Sequence, residues 1–172
     1  MKIKRIVAVA AVLVIAAVAL VWLARPPQIR PYGECSICLR PIHAGMAVLS
    51  RSKEDGWKTT CCIACVFANS RQTGHLAILE QVTDYPSGEH FGPEGATYVV
   101  GGDHHVCLHQ DMVRDQTKTP MPVHFDRCEP PIMAFRNPAE AAAFNREHGG
   151  VIQNWNQLVR QFEAAPSREV KP

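Results

Sequence analysis

The chain contains two Cys-x-x-Cys motifs, Cys35-Ser36-Ile37-Cys38 and Cys62-Ile63-Ala64-Cys65. The second motif stands at the start of a helical pattern over 63–71, and between the motifs the runs 46–50 and 56–60 predict a hairpin. A Cys-x-x-Cys turn can offer two thiolates to one ion, and the hairpin would bring the second pair against the first. The spacing therefore predicts a treble-clef-like zinc finger, closed and structural, with these four cysteines as ligands.

Two other uses of the same thiols stay open. Outside the cytoplasm, cysteines are readily oxidised, so the four could form disulfides instead. A Cys-x-x-Cys at a helix N-terminus can also be a redox pair, although no βαβ pattern surrounds this one. We interpret the neighbouring Cys61 as a spare thiol, because adjacent cysteines rarely bind one ion together.

The N-terminus has a basic tip, with Lys2, Lys4 and Arg5, followed by nineteen uncharged residues over 6–24. At ~1.5 Å per residue, a helix of that length covers about 28 Å, close to the hydrocarbon thickness of a bilayer. We therefore expect a single-pass anchor in the cell inner membrane, with a basic cytoplasmic tip and a periplasmic or otherwise extracytoplasmic body. A cleaved signal peptide is the alternative, but no clear small-x-small cleavage site precedes Arg25.

Length and charge limit the function. With 172 residues and a formal net charge of +2, the chain is too short for a large enzyme and has no basic field for nucleic acid. Seven cysteines and eight histidines indicate metal or redox chemistry instead. We expect no nucleic-acid partner.

The pattern predicts an α+β protein in which an N-terminal transmembrane helix precedes one small soluble domain with a zinc-knuckle or treble-clef-like start. Beyond the finger we expect strands at 96–100, 131–135 and 151–155, and helices at 76–81, from Pro138 and at 157–164. The predicted parts are a cytoplasmic tip and anchor over 1–25, a linker over 26–33, a metal-binding domain over 34–165 with a finger-like part at 34–75, and a loose tail over 166–172.

A second group of soft and borderline ligands follows in a stretch without clear periodicity. Imidazole, thiolate and thioether together suit copper better than they suit magnesium or calcium. A disulfide between two of the cysteines, Cys107 and Cys128, is the alternative. The candidate copper ligands are His104, His105, Cys107, His109, Met121 and Cys128.

Several short motifs of the second half resemble, in order and spacing, the NosL family of copper chaperones, which serve the maturation of nitrous-oxide reductase. They include Asp84-Tyr85-Pro86-Ser87-Gly88, Thr119-Pro120-Met121 and His148-Gly149-Gly150-Val151. The resemblance implies a membrane-attached, exported protein built from β-β-α units, similar in fold to organomercurial lyase. It also implies Cu(I) binding, with Met121 and Cys65 at positions of soft ligands or conserved packing. Cys35-Ser36-Ile37-Cys38 replaces a Cys-Gly-Met type segment of the family.

No nucleophile elbow, phosphate-binding glycine loop or HExxH motif is present, and we therefore expect that the protein is not an enzyme. The favoured function is copper handling: an accessory protein that helps metallate an extracytoplasmic cuproenzyme, with that enzyme or an assembly factor as the expected partner. A zinc-stabilised interaction module without metal transfer is the second hypothesis. A thiol oxidoreductase or lyase is the third.

Overall fold

The computed structural model describes residues 2–23, 27–30, 32–106, 113–114, 120–121 and 128–163. For residues 2–11, 23, 113–114, 120–121 and 163 it describes the backbone alone. The elements in chain order are α1 (Lys2–Leu23), β1 (Val48–Ser52), β2 (Gly56–Thr60), α2 (Ile63–Thr73), β3 (Ile78–Thr83), β4 (His90–Phe91), a 3-10 turn (Pro93–Gly95), β5 (Thr97–Val100), β6 (Val113–Arg114), β7 (Pro120–Met121), β8 (Ile132–Phe135), α3 (Pro138–His148), β9 (Val151–Asn154) and α4 (Trp155–Glu163).

The N-terminal helix α1 exposes apolar side chains, among them Val12, Leu13, Ile15 and Trp22. Across the residues described above, no helix was found with the combination of length and apolarity needed to cross a membrane.

The first sheet is antiparallel, with the strand order β2-β1-β3-β4. The predicted hairpin is present as β1 and β2, joined by a tight turn, and the helix predicted after it is α2. The helix predicted over 76–81 is wrong, because residues 76–77 are irregular and the rest of the segment belongs to β3. Its backbone pairs with the open edge of β1, with Leu49 opposite Gln81. Pairing and the burial of Leu79 and Val82 outweigh a weak local helical preference.

The second sheet is a three-stranded antiparallel sheet with the order β8-β5-β9, and its three strands match the predicted ones to within a residue at each end. Helix α3 begins as predicted: Pro138 occupies the first turn, and the side chain of Asn137 accepts a hydrogen bond from the backbone N–H of Ala139 at 3.0 Å. Strands β6 and β7 form a short separate ladder.

Asp84 connects the two sheets. It forms an isolated bridge with Ala134 of β8, and its buried carboxylate accepts hydrogen bonds from the Arg136 backbone N–H at 2.7 Å and the Ser87 hydroxyl at 2.5 Å. Burial alone would raise the pKa of Asp84, but these hydrogen bonds outweigh it and leave the pKa below its ordinary value.

One main apolar core runs beneath both sheets, with Tyr98 and Phe135 among its largest fully buried side chains. Cysteines belong to this core and not to a separate surface lobe. The predicted α+β class is confirmed, and the structure shows that its sheets are small and antiparallel.

Candidate metal centre

The first Cys-x-x-Cys motif folds into a tight loop. The Cys35 N–H donates to the Arg40 carbonyl at 2.7 Å, and the Leu39 N–H donates to the Cys35 carbonyl at 2.9 Å. Leu39 has a φ of 60°, the left-handed conformation that turns the chain back. The Ser36 hydroxyl donates to the carbonyl of Thr59 at 3.2 Å, so this loop is held against the end of β2.

The other cysteines of the finger-like part lie where β2 passes into α2. Cys61 and Cys62 follow the last residue of the strand, and Cys65 is in the first turn of the helix. Cys62 is the N-cap residue with extended backbone, yet its side chain makes no capping hydrogen bond. The N-terminal end of a helix favours nearby negative charge, so thiolates at this junction are electrostatically supported.

Six cysteine sulfurs converge at this junction in two overlapping groups. One group comprises Cys35, Cys38, Cys61 and Cys65; the other comprises Cys61, Cys62, Cys65 and Cys128. Within each group all the sulfur atoms lie within 4.8 Å of one another, close enough to share an ion.

Cys61 lies at the centre of the assembly. Its sulfur is 3.5 Å from that of Cys38, 3.5 Å from that of Cys65, and 3.8 Å from those of Cys62 and Cys128. The sulfurs of Cys65 and Cys128 are 3.6 Å apart. Each separation is about 1.5 Å or more beyond the length of a disulfide bond, so these contacts are between unlinked sulfur atoms.

The structure thus groups the thiols differently from the spacing argument. Cys35, Cys38 and Cys65 come together as expected, but the fourth member of their group is Cys61, which we had interpreted as a spare thiol. Cys62 belongs to the second group, together with Cys128 from the candidate copper set.

The cluster is largely closed to solvent. Cys35, Cys61, Cys62, Cys65 and Cys128 are each at most 5 % exposed, and Cys38 alone is partly exposed. A buried set of soft ligands suits a thiophilic ion, and Cys38 is the member of the set that solvent partly reaches.

Hydrogen bonds between neighbouring thiols, together with burial, shift the pKa values of three cysteines in different directions. The Cys61 and Cys65 thiols hydrogen-bond to the Cys35 sulfur and, against the effect of burial, lower the pKa of Cys35. Hydrogen bonding to Cys128 and Cys35 raises the pKa of Cys65, and burial raises that of Cys38. Hydrogen bonding within the cluster therefore favours the thiolate form of Cys35 over those of Cys38 and Cys65. A bound cation would favour the thiolate form of all these residues together.

The candidate copper ligands do not form one site in the described residues. The Nε2 atom of His104 lies 2.6 Å from the Tyr85 hydroxyl, and Nδ1 of His105 lies 2.8 Å from a carboxylate oxygen of Glu129. Among the residues that the structure describes, both groups that could hold an ion consist of cysteines alone. Cys107, His109 and the side chain of Met121 lie outside the described part of the chain.

Sequence reasoning missed the central role of Cys61, although a signal was present. Cys61 directly precedes the second Cys-x-x-Cys motif, so its thiol lies next to those of Cys62 and Cys65 although Cys61 itself is outside α2. The inclusion of Cys128 had no local signal, since this residue follows β7 and precedes β8, far along the chain.

No family model and no curated protein matches the sequence. Among solved structures, the fold is similar to the crystal structure of the copper chaperone NosL from Shewanella denitrificans, with a TM-score of 0.51 and 16 % sequence identity. The similarity covers 77 % of this chain and 94 % of that one. The resemblance expected from the sequence motifs is thus confirmed for the fold.

Proposed function

We propose that this protein is a copper-handling accessory protein, which binds Cu(I) in the buried cysteine cluster and helps metallate an extracytoplasmic cuproenzyme. One observation carries the proposal: six thiols from three separate segments converge on one small volume of the core. An apolar core has no other need of so many sulfur ligands, and thiolates are the ligands that select Cu(I) and zinc.

The similar solved structure supports copper as the ion. That protein is described as a copper chaperone, and its fold extends over most of this chain. A chaperone also differs from an enzyme in needing no catalytic group, in agreement with the absence of catalytic motifs from the sequence.

Transfer requires an exit route, and Cys38 supplies one. It is the member of the cluster that reaches the surface, and its sulfur lies 3.5 Å from that of Cys61 at the centre. Passing an ion from a partly exposed thiolate to a partner's soft ligand would proceed by ligand exchange, with no change of oxidation state.

A zinc-stabilised interaction module is the second candidate function, favoured by the burial of five of the six cysteines. Closed tetrathiolate sites are typical of structural zinc. The two candidates differ in what the metal does: zinc would be needed for folding and would stay, whereas Cu(I) would be exchanged.

Membrane attachment is part of the proposal. The supporting features are the basic tip of the chain and the exposed apolar side chains of α1 between Val12 and Trp22. With the positive tip in the cytoplasm, the cysteine cluster would lie on the outer side of the inner membrane.

The decisive experiment measures the metal in full-length protein, extracted from membranes in mild detergent. We expect bound copper or tight Cu(I) binding in competition with a chromogenic Cu(I) chelator. Replacing Cys61 and Cys65 with serine should weaken binding by at least a hundredfold, whereas His75→Gln, at a half-buried residue paired with Asp55 and outside the cysteine cluster, should not. Equal Cu(I) affinity in the double variant and the parent would overturn the proposal.

Two further readouts separate the alternatives. One or more equivalents of zinc that withstand Cu(I), with unfolding when zinc is removed, would favour the interaction module. Reduction of insulin disulfides by the protein would favour a thiol oxidoreductase.

The location is tested separately by fusing alkaline phosphatase or β-galactosidase after the last residue. We expect phosphatase activity only, since that enzyme folds outside the cytoplasm. Active β-galactosidase would contradict the proposed orientation.

A further inference from the structure

The two groups of sulfurs share two members, Cys61 and Cys65. Beyond these shared residues, Cys35 and Cys38 belong to one group only, and Cys62 and Cys128 to the other. Such a pattern has the composition of two four-coordinate sites joined along a common edge.

The spacing fits that geometry. With a metal–sulfur distance of ~2.3 Å, neighbouring sulfurs of a tetrahedral site are about 3.8 Å apart. The measured separations around Cys61 are 3.5–3.8 Å, and the shared pair Cys61 and Cys65 is 3.5 Å apart. Two ions on either side of this pair would be about 3 Å from each other.

We propose that the cluster binds two metal ions, with the thiolates of Cys61 and Cys65 bridging them. Cys35 and Cys38 complete the first site, and Cys62 and Cys128 complete the second. This inference rests on the proposed function in one respect, that the cluster is a metal site, and it adds the number of ions and the role of each ligand.

The cysteine count requires sharing if two such ions bind. Two independent tetrathiolate sites need eight cysteines, and the chain has seven. Bridging also accounts for the adjacent pair Cys61 and Cys62: the first residue serves both ions and the second serves only one, so the two need not act as equivalent ligands of a single ion.

For divalent ions such as the probes used below, net charge does not oppose binding of a second ion. One divalent ion with four thiolates, beside two neutral thiols, has a net charge of −2. When a second divalent ion enters and the two remaining thiols lose their protons, the charge stays at −2. Filling the buried site therefore adds no net charge, and the full reaction of two ions with six thiols releases six protons.

The test uses Zn(II) and ¹¹³Cd(II) as probes, because both are d10 ions that accept tetrahedral sulfur ligands. Full-length protein in detergent, reduced and freed of metal, should bind two equivalents. Its cadmium form should give two ¹¹³Cd resonances in the range of sulfur-rich sites, with splitting from coupling through the bridging sulfurs.

Three double serine variants separate the roles. Replacement of Cys62 and Cys128 should reduce the stoichiometry from two to one and leave one resonance, and replacement of Cys35 and Cys38 should do the same. The variant lacking Cys61 and Cys65 should lose both ions. Circular dichroism of each variant identifies any that fail to fold, and the ¹¹³Cd coupling in the unaltered protein tests bridging without a mutation.

The outcomes distinguish this inference from the proposed function. If the protein binds neither these two ions nor Cu(I) in the chelator competition, both are contradicted. One equivalent in the parent, with the Cys62 and Cys128 variant unchanged, overturns the two-ion cluster but keeps a metal site. Two equivalents that survive loss of Cys62 and Cys128, or two resonances without coupling, place the second ion elsewhere and equally overturn it.

Discussion

Replacing Gly102 with alanine should destabilise the second sheet, for a reason found in the contact between two glycine pairs. Gly101 and Gly102 follow β5, while Gly149 and Gly150 connect α3 to β9. A Cβ at Gly102 would lie 2.5 Å from the His148 carbonyl oxygen, which already accepts the backbone N–H of Asp103 at 2.9 Å.

Two costs add at this position. Gly102 has a φ of +98°, and a side chain in that half of the backbone map costs about 1–2 kcal/mol. The clash is with backbone rather than with a flexible side chain, so helix end and strand must separate, and overpacking of this kind costs about 1–3 kcal/mol. We expect a loss of about 2–5 kcal/mol in the free energy of unfolding.

Gly88→Ala supplies the matched control. Gly88 also has a positive φ, +74°, but a Cβ there meets no atom within 4 Å. This variant should show the conformational cost alone, about 1–2 kcal/mol. The difference between the two variants isolates the contact of the glycine pairs.

The assay is urea unfolding of the full-length protein in mild detergent, followed by far-ultraviolet circular dichroism. The reasoning predicts that Gly102→Ala lowers the unfolding midpoint clearly more than Gly88→Ala. Equal stability of the two variants, within about 0.5 kcal/mol, would refute it and show that the glycine pairs are not in tight contact.

Three further substitutions test the fold around the site. Asp84→Asn should cost about 1–3 kcal/mol, because it weakens charge-assisted hydrogen bonds between the sheets. The folded pKa of Asp84 is lowered, so its stabilisation is present above ~pH 4 and is lost as the pH falls through the folded pKa. When urea midpoints are measured against pH, they should therefore fall less steeply in acid for this variant than for the control Glu94→Gln, at an exposed residue. Tyr98→Phe removes a buried hydroxyl that donates to the Pro93 carbonyl at 2.6 Å, and thermal unfolding should show a loss of about 1–3 kcal/mol; an unchanged midpoint would mean that water or another donor replaces it. Asn137→Ala should cost about 1 kcal/mol through the lost N-cap of α3, and Asn137→Asp, which keeps the acceptor, should restore it.

The sequence alone was sufficient to predict those helices and strands that are determined by neighbouring residues in the chain. The hairpin of β1 and β2 followed from two short extended runs around a polar turn, and α3 from a capping Asn137 with Pro138 behind it. The short motifs that resemble the NosL family also indicated the fold, and the similarity to a solved structure confirms it.

In segment 76–81 the local sequence preference does not determine the secondary structure. Its residues are compatible with a helix turn, and only the open edge of β1 decides that they form β3. A strand is stabilised by a partner that the segment itself does not encode, whereas a capped helix satisfies most of its hydrogen bonds internally.

The cysteines show the same division. Spacing indicated that thiols around 35–38 and 62–65 would meet, because the hairpin between them is local. Only the tertiary structure made Cys61 the central sulfur and brought Cys128 to the cluster from beyond β7. Which sulfurs meet depends on how the β2 to α2 junction packs against the approach to β8, and that packing is a property of the whole core rather than of any motif.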